Sequence, residues 1–478
     1  MAAAAVTPPL DVDDVQGLIV RAYGNLPAAT FLLLVVADAA AARTWVRACA
    51  DIVTPGSARP LESAVHLALT SSGLRAVGLA QPVVNLFANE FVEGMATPFR
   101  QRALGDTGDS APERWSWGGP ETAPVHAALL LYARDADMLM RLRDGEVKRA
   151  TAHGMRVLQA LDTVDLGGKE HFGFHDGVSQ PPLAGLPRAA GDPSAVALGE
   201  FVLGYENAYR LWGERPVLPS SVASAADLPR DAAGSGGADL GRNGTYLVLR
   251  QLRQDVRGFW RFLDDQTRHA DGRADEAGRT WLASRMVGRW PSGAPVVLSP
   301  HEDDVSLADV NDFRYHGADP EGLRCPIGSH VRRTNPRDGL DPKPGSPGSV
   351  EVNNHHRILR RGREYGAPVD PATLLDDVAD PTERGLHFIC LNASIRRQFE
   401  FMQHTWADNA HFAGLHHEDD PVIGAHAQGG GQFTVPADPV RRRFSGLPRF
   451  VSVRGGAYFF LPGIRSLRFL GSVGGGQA

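Results

Sequence analysis

Four times along the chain an apolar run gives way, after a short polar break, to a segment whose apolar residues recur three and four apart. TFLLLVVAD precedes AAARTWVRACADIV, and VHAALLLYAR precedes DADMLMRLRDGEVKRATAHGM. GTYLVLRQLRQ precedes DVRGFWRFLDDQTRH, and LHFICLNAS precedes IRRQFEFMQHTWAD. The first members are continuously apolar or alternate and carry β-branched and aromatic residues, as buried strands do. The second members gather positions such as Phe259, Phe262 and Leu263 on one side, the pattern of a one-face helix. Residues 255–262 and 395–401 therefore read as helices packed on a sheet.

Two of these units fall before about residue 155 and two after 240. This predicts an α+β fold in two halves, 1–235 and 236–478, each a sheet with helices on one face. The copies are too diverged to count as a repeat. Between them DLPRDAAGSGGADLGRN, 227–243, reads as a flexible polar lid or linker. The Pro/Gly-rich region 317–350 reads as a long functional loop.

Composition narrows the function classes. Of 478 residues, 43% are hydrophobic and 22% charged, as in a soluble globular protein. A formal net charge of -6 offers nothing to a nucleic acid or an anionic membrane. Cys49, Cys325 and Cys390 are odd in number and far apart, which argues against a disulfide framework or structural zinc and for a reducing compartment. The start, MAAAAVTPPLDVDDVQG, has no basic segment followed by an apolar run and no twin arginine. The apolar stretch 31–42 is interrupted by Asp38 and too short to span a bilayer. A cytoplasmic protein without a membrane partner is expected; export by another route and an encapsulating partner stay open.

The polar information is concentrated in three stretches. GFHDG, 173–177, lies inside KEHFGFHDGVSQPP, where bracketing glycines predict a tight turn that presents His175 or Asp176. RCPIGSHVRRTNPRDGLDPK, 324–343, contains His330, a cap beside a basic surface or a ligand. Cys325 is a rival ligand, since a thiolate binds haem iron, or a small buried hydrophobe. NNHHRILRRGREYG, 353–366, places Arg360 and Arg361 after Ile358 and Leu359. On a strand the two arginines point to opposite faces, so one of them faces a pocket. HHEDD at 416–420 and HEDD at 301–304 have metal-ligand residue types without metal-site spacing and read as charged, flexible loops. No G-x-S-x-G is present.

Taken together, the three stretches resemble the dye-decolorizing peroxidase family of haem enzymes. GFHDG with its trailing SQP matches the family's G-x-x-D-G motif, CPIGSHVRRTNPR its proximal-histidine segment and HRILRRGREYG its distal-arginine segment. GEFVLGYEN (199–207), GLHFICLN (385–392), RRQFEFMQHTW (396–406) and RGGAYFFLPG (454–463) extend the match from about residue 14 to 471. The resemblance implies two ferredoxin-like α+β halves enclosing haem b, and a peroxidase that reduces hydrogen peroxide and oxidises dyes, phenolics and other small aromatic reductants.

Carried over by position, the resemblance makes His330 the axial iron ligand, with Asp176 and Arg360 over the opposite haem face. Leu386 and Phe388 would wall that pocket, and Gly177 would let the backbone approach the haem. His175 would be a packing or propionate-contact residue. An axial histidine needs a carboxylate on its second nitrogen, and Glu400 is the candidate. Gly362 stands where some relatives carry Asn. A carboxylate can relay the peroxide proton, whereas Arg360 stays protonated and stabilises developing negative charge. Such a relay predicts an acid-side activity optimum. A haem-binding, iron-releasing protein of the same fold, a non-haem metal protein and a homo-oligomer remain open at this level.

Overall fold

In the computed structural model, the described residues are 9–190, 192, 194–376, 380–426 and 430–473. The first three strand-plus-helix units fold as their patterns predict, and the polar break has a structural purpose. β1 (Ala28–Val36) leads into helix Ala39–Cys49, and the intervening Asp38 caps it by accepting from Ala40 N and Ala41 N. Two further strands, β2 (Ser63–Leu69) and β3 (Ala127–Ala133), are separated by four short α-helices, Ser71–Ala76, Gln81–Val84, Asn89–Glu93 and Pro98–Ala103. Asp135 then caps helix Ala136–Ala152, which is followed by β4 (Met155–Asp162). A short pair, β5 (Val217–Leu218) and β6 (Ala238–Asp239), precedes β7 (Thr245–Gln254). Asp255 caps helix Val256–Thr267 through Gly258 N. An aspartate at this position satisfies N–H groups that the first helical turn leaves unpaired.

The remaining strands are β8 (Leu359–Arg360), β9 (Arg363–Tyr365), β10 (Gly385–Asn392), β11 (Gly431–Val435), β12 (Arg442–Leu447) and β13 (Val451–Leu461). One antiparallel sheet runs β4-β1-β3-β2-β13-β7-β10-β8, with β9 also on β10. The strands of residues 28–162 join those of 245–461 through β2 and β13, where Leu69 faces Phe460. The fold is α+β, as expected.

Helices pack on one face of these strands, as expected, and the other face is buried as well. Leu32, Leu34, Leu129, Leu131, Tyr458 and Phe460 pack into one core with helix Ala39–Cys49. Phe31, Leu33, Leu130, Tyr132, Phe459 and Leu461 pack into a second core, covered by segments that include Leu10, Leu26, Phe201 and Tyr205. Two buried faces explain why these strands are continuously apolar rather than alternating.

Two expectations about the remaining segments change. Residues 227–243 are not a loose linker: β6 pairs with β5, and buried Asp231 and Asp239 each meet Arg215 at 2.6 Å. Residues 396–407 form two π-helical stretches, Arg396–Glu400 and Met402–Ala407, rather than an α-helix. Helix Val256–Thr267 buries Phe259 and Leu263 in a cluster with Phe172, Phe450 and Leu282 of helix Glu276–Val287. Among the described residues no helix is long and apolar enough to cross a membrane.

Candidate functional site

A cavity of about 260 Å³ lies under the later half of the sheet. Its ceiling is the strand face that alternation aims downward: Arg250 and Leu252 of β7, Arg360 of β8, Leu386 and Phe388 of β10, and Val451 and Val453 of β13. Phe399, Met402 and Gln403 of the π-helical stretches form part of its wall. Phe174, His175, Asp176, Val178 and Ser179 of one loop, and His330 with Val331, close further sides.

Asp176 is presented by a tightly held loop. Glu170 accepts from Phe172 N and Phe174 N, both at 2.9 Å, and from Gln254 Nε2 at 2.7 Å. Gly173, at φ +98, and Gly177, at φ +84, take left-handed conformations that favour glycine. Asp176 N is fixed on Gly168 O at 3.0 Å. Its Oδ1 accepts from Arg360 Nη1 at 2.6 Å. Burial pushes the Asp176 carboxyl up, but Arg360 outweighs that, together with the Gly177 N–H and nearby His330, and leaves it below the usual carboxylate range.

Gly177 therefore acts on Asp176 and does not itself line the cavity. His175 does line it, with Nδ1 at 3.2 Å from Ser292 O. The two arginines of the RR pair diverge as strand geometry requires. Arg361 turns to the opposite face and donates to Leu18 O and Ile19 O at 2.7 and 3.0 Å.

His330 begins the short helix His330–Thr334. Its Nδ1 is 3.0 Å from Asp420 Oδ2. The other Asp420 oxygen is occupied by Val422 N and Ile423 N. An ionised Asp420 makes Nδ1 the donor and leaves the Nε2 lone pair free. Burial lowers the His330 pKa, and the Asp420 charge more than offsets this, so it ends above its ordinary value.

This pairing corrects the assignment of Glu400. Glu400 accepts from Arg100 Nε and Tyr458 OH, both at 2.8 Å, and has no bond to His330. Cys325 is not a rival ligand: it is fully buried beside Trp290 and Tyr315 and does not reach the cavity. The HHEDD segment is not merely a solvated loop, since Glu418 and Asp420 are buried. HEDD is exposed, with Asp303 and Asp304 on local Ser292 and Ser306 hydroxyls. Among the described residues no group of three or more His, Cys, Asp or Glu is placed to hold a metal ion.

No family model matches the chain. The protein called peroxidase 2 of Mycetinis scorodonius is 30% identical over 441 residues, covering 85% of this chain and 76% of its own. The chain belongs to the dye-decolorizing peroxidase family. A dye-decolorizing peroxidase of Exidia glandulosa is 29% identical, with 96% of this chain and 86% of its own covered. The solved structure of an ancestral D-type dye-decolorizing peroxidase superposes with a TM-score of 0.78 at 27% identity, over 96% of this chain and 99% of its own. A fungal DyP-type peroxidase from Auricularia auricula-judae gives 0.78 at 26%, over 97% and 100%.

Several residues that shape the peroxidase's site escape a sequence reading. Arg333, read with Arg332 as basic surface, is fully buried and donates to the carbonyls of Trp406, Glu418 and Asn409 at 3.0, 2.7 and 2.5 Å. It ties the His330 helix to the segment carrying Asp420. Arg332 meets Asp319 at 2.9 Å. Asp420 stood in a cluster singled out by residue type, and its buried role had no local signal. Glu170 precedes GFHDG by three residues, and a carboxylate just before a Gly-rich turn is the only hint of its clamp.

Proposed function

We propose that this peroxidase binds haem b in the cavity and uses Asp176 and Arg360 to cleave hydrogen peroxide, with small aromatic or dye-like molecules as donors. The observation that carries this reading is a half-buried His330, locked through Nδ1 by Asp420, in the same cavity as the Asp176–Arg360 pair. The donor set suits haem: a macrocycle supplies four nitrogens and needs one protein ligand, and no multidentate metal cluster exists among the described residues. The apolar walls, Leu252, Leu386, Phe388, Phe399, Met402 and Val453, suit a flat hydrophobic ring.

In this reading His330 Nε2 would hold the iron. Haem supplies the redox centre that takes oxidising equivalents from peroxide and passes them to donors. Asp176 has Oδ1 committed to Arg360, so Oδ2 takes a proton from one peroxide oxygen and returns it to the leaving oxygen. Arg360 keeps Asp176 ionised and stabilises the negative charge that develops as the O–O bond breaks. Leu386 and Phe388 restrict water around that transfer. The division at 235/236 belongs to the same reading, because Asp176 comes from the first half while His330 and Arg360 come from the second.

The test is the absorption spectrum of the purified protein with and without one equivalent of peroxide. The native chain should show a Soret band that changes on mixing. Asp176→Asn and Arg360→Leu should keep the band and react slowly, and His330→Ala should lose haem. An unchanged spectrum after peroxide would leave only a haem-binding role, and no Soret band after reconstitution would remove haem altogether.

A further inference from the structure

Five arginines line the cavity: Arg250, Arg289, Arg357, Arg360 and Arg449. Four have acceptors. Arg250 pairs with Asp106, and Arg360 with Asp176. Arg289 donates to Gly293 O at 2.6 Å, and Arg449 to Thr107 O and Ala425 O at 2.6 Å. The Arg357 guanidinium has no acceptor among the described residues.

Arg357 is not a loose surface arm. Its own carbonyl accepts from Gln398 Nε2 at 2.7 Å, and the adjacent His356 ring is anchored on Arg397 O at 2.5 Å. Burial, then the neighbouring charges of Arg337 and Arg360, push its pKa down to about 9. The carboxylates of the cavity are already engaged: Asp106 and Asp176 by arginines, Glu170 by Phe172 N, Phe174 N and Gln254, and Asp408 by Ala425 N and Gln403. A half-buried cation facing a cavity without an anion is unfavourable. The anion that completes this wall therefore arrives with whatever fills the cavity.

We propose that Arg357 receives a carboxylate of the bound cofactor, a propionate at the haem edge, and so sets haem affinity and orientation. This rests on the haem reading above. A guanidinium presents a planar fork of donors that matches a carboxylate with two parallel hydrogen bonds, which a lysine cannot reproduce. Two sources share the chemistry, the cofactor's own carboxylate and an anionic donor molecule, and the apolar walls around the cavity favour the ring that carries carboxylates on its edge.

The experiment titrates the full-length apoprotein with haem and with haem dimethyl ester, whose propionates are uncharged, following the Soret band. The native protein should prefer haem by about tenfold or more, the scale of one charge-assisted hydrogen-bonded pair. Arg357→Ala should weaken haem binding by that factor, leave the ester unchanged and abolish the preference; Arg357→Lys should keep part of it. Circular dichroism of each apoprotein checks folding, and Arg357→Gln replaces Arg357→Ala if that variant does not fold. An equal preference for haem in the native protein and in Arg357→Ala or Arg357→Gln overturns the proposal. So does an unchanged preference combined with a raised KM for an aromatic carboxylate but not for a neutral phenol, which would assign Arg357 to the donor. No Soret band with either porphyrin in the native protein would instead overturn the haem reading itself.

Discussion

Asp420 lies 3.0 Å from Nδ1 of His330 across 90 residues of chain, and its other oxygen is pinned by two backbone N–H groups. A carboxylate held on both sides cannot swing away from the imidazole. It therefore orients the ring and, in the proposed haem site, would make it a more electron-rich ligand.

Replacing Asp420 by Asn removes that charge while keeping the shape. Haem affinity or peroxide reactivity should fall by about 10–100-fold, and the haem reduction potential should rise. Spectroelectrochemistry checks the potential. The same change at Glu400 should leave the potential near that of the native protein, because Glu400 serves Arg100 and Tyr458.

Arg360→Leu should alter pH dependence as well as rate. Asp176 must be ionised to take a proton, and Arg360 holds its carboxyl below the usual range against burial. With Arg360 gone, burial dominates and the Asp176 pKa rises. The acid limb of the rate of reaction with peroxide should move to higher pH, and the rate at the optimum should drop by about 10²–10³-fold. Stopped-flow rates between pH 3 and pH 8 (assay limits of about these values suit the carboxylate range) decide it. An acid limb that stays in place would count against Asp176 as the proton carrier.

Asp408 supplies a stability test. Burial, with the charges of Asp419 and Asp420 adding to it, raises its pKa from 3.8 to about 7. The folded state then holds a proton that the unfolded chain releases. Its stabilising contribution is complete below the unfolded pKa and disappears as pH rises through about 7. Asp408→Asn is neutral throughout, and its amide can still meet Ala425 N and a reoriented Gln403. The variant should match the native protein near pH 4 and exceed it near pH 8 by roughly 1–3 kcal/mol in denaturant unfolding.

Arg333→Met removes the donors to three buried carbonyls. Leaving them unsatisfied should cost about 2–4 kcal/mol, seen as a lower melting temperature. Because Arg333 joins the His330 helix to the Asp420 segment, haem release should also accelerate, measured by transfer to excess apomyoglobin.

How much of this was visible in the chain differs between fold and site. Phe31 to Val35 and Leu129 to Leu131 announce strands because they must be apolar on two buried faces. Asp38, Asp135 and Asp255 sit where helices begin because an N-cap is a local requirement. By contrast, the π-helical turns at 396–407 were not legible. Their apolar spacing fits an α-helix equally well, and only packing around Phe399, Met402 and Trp406 selects the wider turn.

The sequence by itself determined the strand–helix order, the turn that carries Asp176, and the opposed directions of Arg360 and Arg361, since each depends on residues a few positions apart. Only the tertiary structure decided which groups meet. Arg360 finds Asp176 across 184 residues and His330 finds Asp420 across 90. Either Glu400 or Asp420 satisfies the demand for a carboxylate, and periodicity carries no information about distances between remote segments. The choice was made by Arg333, buried where a basic surface was expected, which fixes the Asp420 segment against the histidine helix.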